Sequence, residues 1–463
     1  GEPRPGLLAE LELDSVVVVD GDRVARRETA EAEGRAAELL ATLAHGEAVL
    51  SPPDDVDEAG DLSAEQLAAV KAAFSRRLSV VTGGPGTGKT TLVRAIVEQA
   101  AGAKIDVALC APTGRAARRL SEATGHGATT IHRLLEWIPG EGPARGADHP
   151  IECDLLVVDE SSMLSLTVAG MLLEAIGEET HVVFIGDADQ LPPVGAGKPF
   201  ADLIESGAAP VARLEHVFRQ AARSLIVQAA HAINRGELPR TTAEEDEVRD
   251  FFFIEHAGDG EIADAVVELA ASRLATHYDI DPIREIQVLA PIYRGAVGVD
   301  SLNERLRARL NPDGARCLDG AFRAGDKLIQ TRNDYDTGLM NGQIVMSVCE
   351  DDDGDLRIES DDGRAITVPA ERTAWLRPAY AISVHKSQGC EMPVVVLPVH
   401  SSHSVLLSRN LLYTAVTRAR RACVMVGQPE AIRRAVRKAE AFRRHTRLAE
   451  LIHGTDPAQM TSS

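Results

Sequence analysis

Residues 80–91, VVTGGPGTGKTT, decide how the rest of the chain is read. A short β-rich run (Leu78, Val80, Val81) enters a glycine-rich turn. Gly88-Lys89-Thr90 then opens a helix that continues through Leu92, Val93 and Ile96. From Gly83 to Thr90 the spacing is G-x-x-x-x-G-K-[ST]. Glycines let backbone N–H groups converge on phosphate oxygens with no Cβ in the way. The helix N-terminus adds partial positive charge. The predicted nucleotide contacts are Gly84, Pro85, Gly86, Thr87, Gly88, Lys89, Thr90 and Thr91, with Lys89 reaching the β- and γ-phosphates and the Thr90 hydroxyl on Mg²⁺. The alternative, a chance glycine turn, is weakened by the complete strand–loop–helix context. The stretch reads as a nucleoside-triphosphate site.

The 463 residues exceed what one core usually holds, so two or more domains are expected. With 44% hydrophobic residues the interior is well filled, and no run of eighteen apolar residues exists to span a membrane. The first residues lack a basic segment followed by a long apolar one, so no secretory signal is expected. Gly1 stands where Met would, so sequence preceding it is expected. Six scattered cysteines without a C-x-x-C pair read as reduced thiols of a cytoplasmic protein, and no metal cluster appears among the histidines. A net charge of −21 argues against electrostatic coating of duplex DNA but leaves room for a local basic groove. The acid gathers at 54–61 and 350–362, read as solvated loops.

In chain order, residues 1–60 read as a small helical or winged-helix remnant, helical over 29–43, followed by an exposed connector at 51–61. Residues 63–74 place Leu67, Val70 and Phe74 on one helical stripe. Gln66, three after Ser63, either closes a capping box or recognises adenine. A buried strand at 107–110 leads into APTGRAARRL, where Thr113, Gly114 and Arg115 sit at a strand tip, a usual ligand position; a plain basic helix face is the alternative. DLLVVDESSM (154–163) is an apolar strand ending in two acids. Asp159 takes the metal role and Glu160 the base, against a merely solvated pair. Strand 181–185 runs into GDADQLPPV, with Gln190 set to sense the γ-phosphate. In LEHVFRQ, Phe218 is a flat partner for a base and Arg219 a charge for phosphate, or half of an interdomain ion pair. A second α/β pattern starts near 224, and the run 251–254 reads as a core strand. Between 325 and 376 the period changes to two, with Asn-Gly and Asp-Gly turns, which predicts a small inserted β-barrel. The parallel pattern resumes through AYAISVHKSQGCE and LLYTAVTRAR. There Arg418, on a helix, is either an arginine finger reaching across a cleft or part of a basic surface run.

The ordered set GGPGTGKT, APTGRAA, TIHRLL, VVDESSM, GDADQLPPV, FRQ, VHKSQGCE and YTAVTRAR resembles the superfamily 1 helicases, specifically the RecD-like branch of superfamily 1B, over about residues 60–450. The resemblance implies an α/β protein with two RecA-like parallel-sheet motor domains, a short hairpin (pin) insertion and a small SH3-like β-barrel insertion. The implied boundaries are motor domain 61–220 with the pin at 136–152, a second motor domain from 221–330 and 377–455, the barrel at 331–376 and a flexible tail at 456–463. Gln66 then contacts adenine and Phe218 stacks on it. Lys89, Thr90, Asp159, Glu160, Gln190, Arg219 and Arg418 form the ATPase centre, and Gly389 and Glu391 couple nucleotide to the second motor domain. Thr113, His132, Ser383 and His385 line a single-stranded DNA track, together with Gly114 and Arg115. The implied activity is ATP- and Mg²⁺-dependent 5′→3′ unwinding at single-strand/duplex junctions, in repair or recombination. No membrane is involved, and a protein partner is left open. Two other classes remain: a nucleotide-switched DNA clamp or partner-dependent motor subunit that does not itself unwind, and an RNA-directed motor.

Overall fold

Apolar runs without alternation, such as Leu155–Val158 and His181–Gly186, are buried along their whole length, as strands of a parallel sheet covered on both faces must be. The computed structural model describes residues 16–20, 23–53, 62–361, 363–439 and 444–454. The acidic stretch 54–61 and the tail 456–463 lie outside the described residues.

Six parallel strands form the first sheet, in the order Val211–Leu214, Leu78–Gly83, His181–Gly186, Leu155–Val158, Val107–Ala111 and Ala128–Thr130. This order brings the ends of Leu78–Gly83, His181–Gly186 and Leu155–Val158 side by side at the carboxyl edge, where open α/β sheets bind ligands. A second parallel sheet runs Phe251–Glu255, Ala419–Gly427, Met392–Val399, Ile286–Ala290 and Ala381–Ser383. Each sheet has apolar clusters on both of its faces.

Between residues 327 and 378 five antiparallel strands form a third sheet, in the order Ala365–Val368, Leu356–Ser360, Ile344–Glu350, Lys327–Gln330 and Leu376–Pro378. The expected boundaries of 331–376 are therefore too narrow, because Lys327–Gln330 is the strand joining Ile344–Glu350 to Leu376–Pro378. Asp326 fixes the unit to the second lobe. Its fully buried carboxylate accepts from the Tyr380 hydroxyl (2.9 Å) and Asn311 Nδ2 (2.8 Å), and Arg307 Nη2 approaches to 2.8 Å. In the 136–152 stretch, Trp137–Ile138 pairs with Gly142–Pro143 in a hairpin two residues deep.

The ends of the described chain depart from the expected division. Helix Arg27–His45 contributes Ala36, Ala37, Leu40 and Leu43 to the first lobe's core rather than standing apart. Helix Leu448–Gly454, expected in the second motor domain, also packs on the first lobe, against Arg27–His45 and Pro199–Ser206. Leu448 and Ile452, each 1% exposed, fill that core, which explains the return. Ahead of the helix, Arg444 donates to the carbonyls of Pro193 (2.7 Å), Gly195 (2.7 Å) and Gly197 (2.6 Å).

Thr446 Oγ1 lies 2.5 Å from Glu33 Oε1 and 2.9 Å from Asp202 Oδ2. One hydroxyl has one proton to give, so two charged carboxylates cannot both be satisfied by it. Burial is the main cause that pushes the Asp202 carboxyl up to about 6, the Thr446 hydrogen bond opposing it and Glu33 adding to it. A carboxyl whose folded pKa is raised costs stability above that value, and the cost fades as pH falls toward the unfolded value of about 3.9. Asp202→Asn is therefore expected to melt higher than the parent at pH 7.5, with the advantage disappearing by about pH 4. Melting curves across that range check this, and a pH-independent difference would contradict it.

Candidate nucleotide site and nucleic-acid cleft

Strand Leu78–Gly83 leads through residues 84–88 into helix Lys89–Ala103. Gly86 (φ +76°) and Gly88 (φ +78°) take the left-handed conformation that a Cβ disfavours. Lys89 Nζ folds back on the loop and donates to the carbonyls of Gly83 (2.6 Å) and Gly84 (3.0 Å). Phosphate oxygens would take over those donors. Thr87 Oγ1 donates to Gly84 O at 2.9 Å and braces the turn, whereas Thr90 is exposed on the first turn of the helix.

Gln66 and Phe218 converge on the same loop. A methyl group on Gly88 would lie 2.5 Å from Gln66 Nε2 and 2.7 Å from Phe218 Cε2. The capping box is formed: Ser63 N donates to Gln66 Oε1 (2.9 Å) and Gln66 N to Ser63 Oγ (3.3 Å). Gln66 Nε2 also donates to Gly88 O at 3.1 Å, so an adenine contact has to displace a bond already made. Phe218 N donates to Gly86 O (3.2 Å), and Arg219 is exposed at the start of the short helix Arg219–Ala222.

Asp159 and Glu160 follow strand Leu155–Val158 and are half-buried. Glu160 has φ +51°. For a residue with a Cβ this costs about 1–3 kcal/mol, the kind of strain that gathers at functional sites. Burial, reinforced by Glu160, pushes the Asp159 carboxyl up to about 6, against the pull of Lys89 and Arg119. A carboxylate and a hydroxyl are hard oxygen ligands of the kind that, with phosphate oxygens and water, suit Mg²⁺, so Asp159 and Thr90 fit that ion. Among the described residues no cluster of three or more His, Cys, Asp or Glu side chains forms a separate metal site.

The next strand end delivers Gln190, whose Nε2 donates to Asp187 Oδ2 at 3.2 Å. Gln190 Oε1 is buried without a hydrogen-bond partner, an acceptor left for a ligand or its water. Asp187 Oδ2 also accepts from the Tyr413 hydroxyl of the second lobe at 2.7 Å. Neither Asp187 nor Tyr413 was assigned a role from sequence, although both stand inside the quoted motifs. A second such omission is Arg119, which donates to Glu391 Oε1 at 2.5 Å across the cleft. Glu391, also 3.6 Å from Arg420, thus meets the first lobe through Arg119. Gly389 (φ +69°) approaches Thr113: a methyl there would lie 2.9 Å from its Oγ1.

Arg418 differs from expectation. It lies in the turn after helix Arg409–Val416, not on it, and is 4% exposed. Its guanidinium donates to Thr414 O (3.1 Å), Cys390 O (3.3 Å) and Thr417 Oγ1 (3.2 Å), all within its own lobe. These acceptors hold it back from the cleft, and it has to exchange them to act as a finger.

Thr113, Gly114, Arg115, His132 and His385 line one cleft of about 1100 Å³, joined by Arg118, Arg133, Trp137 and Lys386 and by Tyr335 of the antiparallel unit. Thr113 Oγ1 accepts from Ala116 N (3.2 Å) as a helix cap, and His132 meets Trp137 edge-on at 5.5 Å. Ser383 is not part of this lining. It is 5% exposed, and Tyr293 donates to its hydroxyl at 3.4 Å, so Tyr293 covers the position expected of it. Among the described residues no helix is long and apolar enough to cross a membrane.

Two variants test the nucleotide site. Lys89→Ala is expected to abolish ATP hydrolysis, and turnover persisting in it would overturn the assignment. Glu160→Gln is expected to keep nucleotide affinity while turnover falls at least about 100-fold, as for loss of a general base. Nucleotide binding and phosphate release, measured side by side, check both.

The family described as AAA domain matches residues 61–251, and the one described as UvrD-like helicase C-terminal domain matches residues 378–426. The ATP-dependent RecD2 DNA helicase of Deinococcus radiodurans is 38% identical over 435 residues, which are 91% of this chain and 57% of that protein. The chain thus spans a little over half of that relative's length. The RecBCD enzyme subunit RecD of Mycolicibacterium smegmatis is 36% identical over 410 residues, covering 81% of this chain and 72% of the subunit. A solved Pif1 helicase from Candida albicans superposes with a TM-score of 0.48 at 19% identity, over 87% of this chain and 99% of that one. With the phosphate loop, the acid pair and the second-lobe motifs in their expected order, and with this extent of identity, the chain belongs to the RecD-type helicases.

Proposed function

We propose that the chain is an ATP-dependent DNA helicase or translocase that moves 5′→3′ on single-stranded DNA and opens duplex at single-strand/duplex junctions. The observation that carries this reading is that both lobes supply side chains to the phosphate loop. A methyl on Gly84, in the first lobe, would lie 3.1 Å from the hydroxyl of Tyr413, in the second. Lys89 holds the terminal phosphates, Glu160 takes a proton from the attacking water and Gln190 orients it, and Asp159 with Thr90 hold Mg²⁺, which neutralises phosphate charge. Arg219, and Arg418 once released from its carbonyls, add charge stabilisation. The triphosphate makes contacts with both lobes that the diphosphate lacks, which is the differential affinity a population shift requires. Phe218 stacks on the base, with Gln66 beside it.

The cleft between Thr113, Arg115, His132 and His385 is the proposed DNA track. Its basic and aromatic lining suits phosphate contacts and base stacking with little sequence preference. In this reading residues 136–152 are the pin, and the antiparallel unit at 327–378 is the SH3-like barrel. The hairpin's two-residue depth favours a second reading, a translocase or partner-dependent motor that hydrolyses ATP on DNA without splitting duplex. The Mycolicibacterium relative, named as a subunit, is consistent with that arrangement.

The deciding measurement is ATP-driven opening of two short duplexes, one with a 5′ and one with a 3′ single-stranded tail. Opening of the 5′-tailed substrate alone is expected. Opening of the 3′-tailed one alone would overturn the polarity. If neither opened while single strands still stimulated hydrolysis, the second reading would replace the first.

A further inference from the structure

Helix Leu225–Asn234 carries a stripe at i, i+4 and i+7, made of Val227, His231 and Asn234, that no motif explains. The stripe rests on the nucleotide edge of the first lobe. A methyl on Gly86 would lie 3.6 Å from Val227 Cγ1, and one on Gly84 would lie 3.2 Å from His231 Cε1. Asn234 Nδ2 donates to Asp189 Oδ2 at 2.7 Å, beside Gln190. The His231 ring also lies against the Pro85 carbonyl. Its Nε2 is buried without a hydrogen-bond partner, an unfavourable state unless something supplies the partner.

We propose that His231 is a positioning residue for the triphosphate, presented by the second lobe to the Gly84–Pro85 segment of the phosphate loop. The inference rests on reading that loop as an ATP site. Lys89 is bonded to the Gly83 and Gly84 carbonyls, and a terminal phosphate draws it away. Thr87 Oγ1, on the Gly84 carbonyl at 2.9 Å, is then the first lobe's own brace, and the outer side of Gly84 and Pro85 is left to the second lobe. His231 and Tyr413 are the second-lobe side chains packed there, so the loop geometry that accepts a γ-phosphate depends on the lobes being closed. Burial lowers the imidazole pKa, so the ring acts as a neutral wedge with one donor and one acceptor nitrogen. A diphosphate calls on this contact less: Lys89 meets its β-phosphate as well, but without a γ-phosphate the second lobe is not drawn onto the loop.

The test uses the full chain with His231→Ala and His231→Gln. Binding of a fluorescent non-hydrolysable ATP analogue and of fluorescent ADP is measured by titration, and kcat and KM by ATPase assay on oligo-dT. For His231→Ala, affinity for the triphosphate analogue is expected to fall about tenfold, equivalent to about 1.4 kcal/mol. ADP affinity should hold, and KM should rise with kcat little changed, the pattern of lost ground-state binding. His231→Gln, which restores a donor and an acceptor, should recover most of the loss. If His231→Ala does not fold, His231→Gln carries the test by itself, with a smaller loss confined to the triphosphate. Unchanged triphosphate affinity, or an equal loss for both nucleotides, overturns the proposal. Lys89→Ala separates the two levels. If it is inactive while the His231 variants keep normal selectivity, the His231 role fails and the ATP site stands. If Lys89→Ala still hydrolyses ATP, the site reading itself fails.

Discussion

A buried carboxylate joins the two lobes at the nucleotide edge. Asp187, 2% exposed, accepts from Gln190 of its own lobe and from Tyr413 of the other. A charge so far from water has to be hydrogen-bonded by its surroundings, and removing one donor costs far more than the bond is worth in water. The neighbouring bonds repeat the arrangement. Leu191 N donates to Thr414 Oγ1 at 2.9 Å, and Gln388 Nε2 donates to Leu191 O at 2.8 Å. The segment proposed to read the γ-phosphate is thereby built into the interface, so a change at that phosphate would be felt by the second lobe without a long relay.

The electrostatics of the chain are local. A net charge of −21 repels DNA at a distance, yet the cleft gathers Arg115, Arg118, Arg133 and Lys386 on one lining. Screening limits the distant acid to about a Debye length, roughly 8 Å at physiological salt, so the lining decides what binds. Arg115 is itself tied to Asp361 at 3.4 Å, which tempers the field and fixes the arginine's direction.

The parts that were legible in the sequence are those governed by period and spacing. The phosphate loop, the strand-end acids Asp159 and Glu160, the Ser63–Gln66 cap and the unbroken apolar strands all followed from local rules. What escaped depends on where a side chain points after packing. Arg418 lies just past the helix expected to carry it, but its donors find carbonyls in their own lobe first. Ser383 lies at a strand end, yet Tyr293, from a loop ninety positions away in sequence, covers it. His231 looks like any other residue on a helix until that helix is seen lying on Gly84. The helix at Leu448–Gly454 has apolar residues that announce a buried face, and nothing in their spacing says which sheet they bury against.

That last helix makes synthesis and folding run on different clocks. Domains usually fold as they leave the ribosome, N-terminal ones first. Here the first lobe's core includes Leu448 and Ile452, and Glu33 accepts hydrogen bonds from Thr446, Arg447 and Leu448. Contacts separated by more than 400 residues must wait for nearly the whole chain to emerge. Until then the side of helix Arg27–His45 that Leu448–Gly454 will cover stays open to water. The first lobe is the earliest part of the motor to be made and among the last to be finished, which ties its completion to the presence of the second.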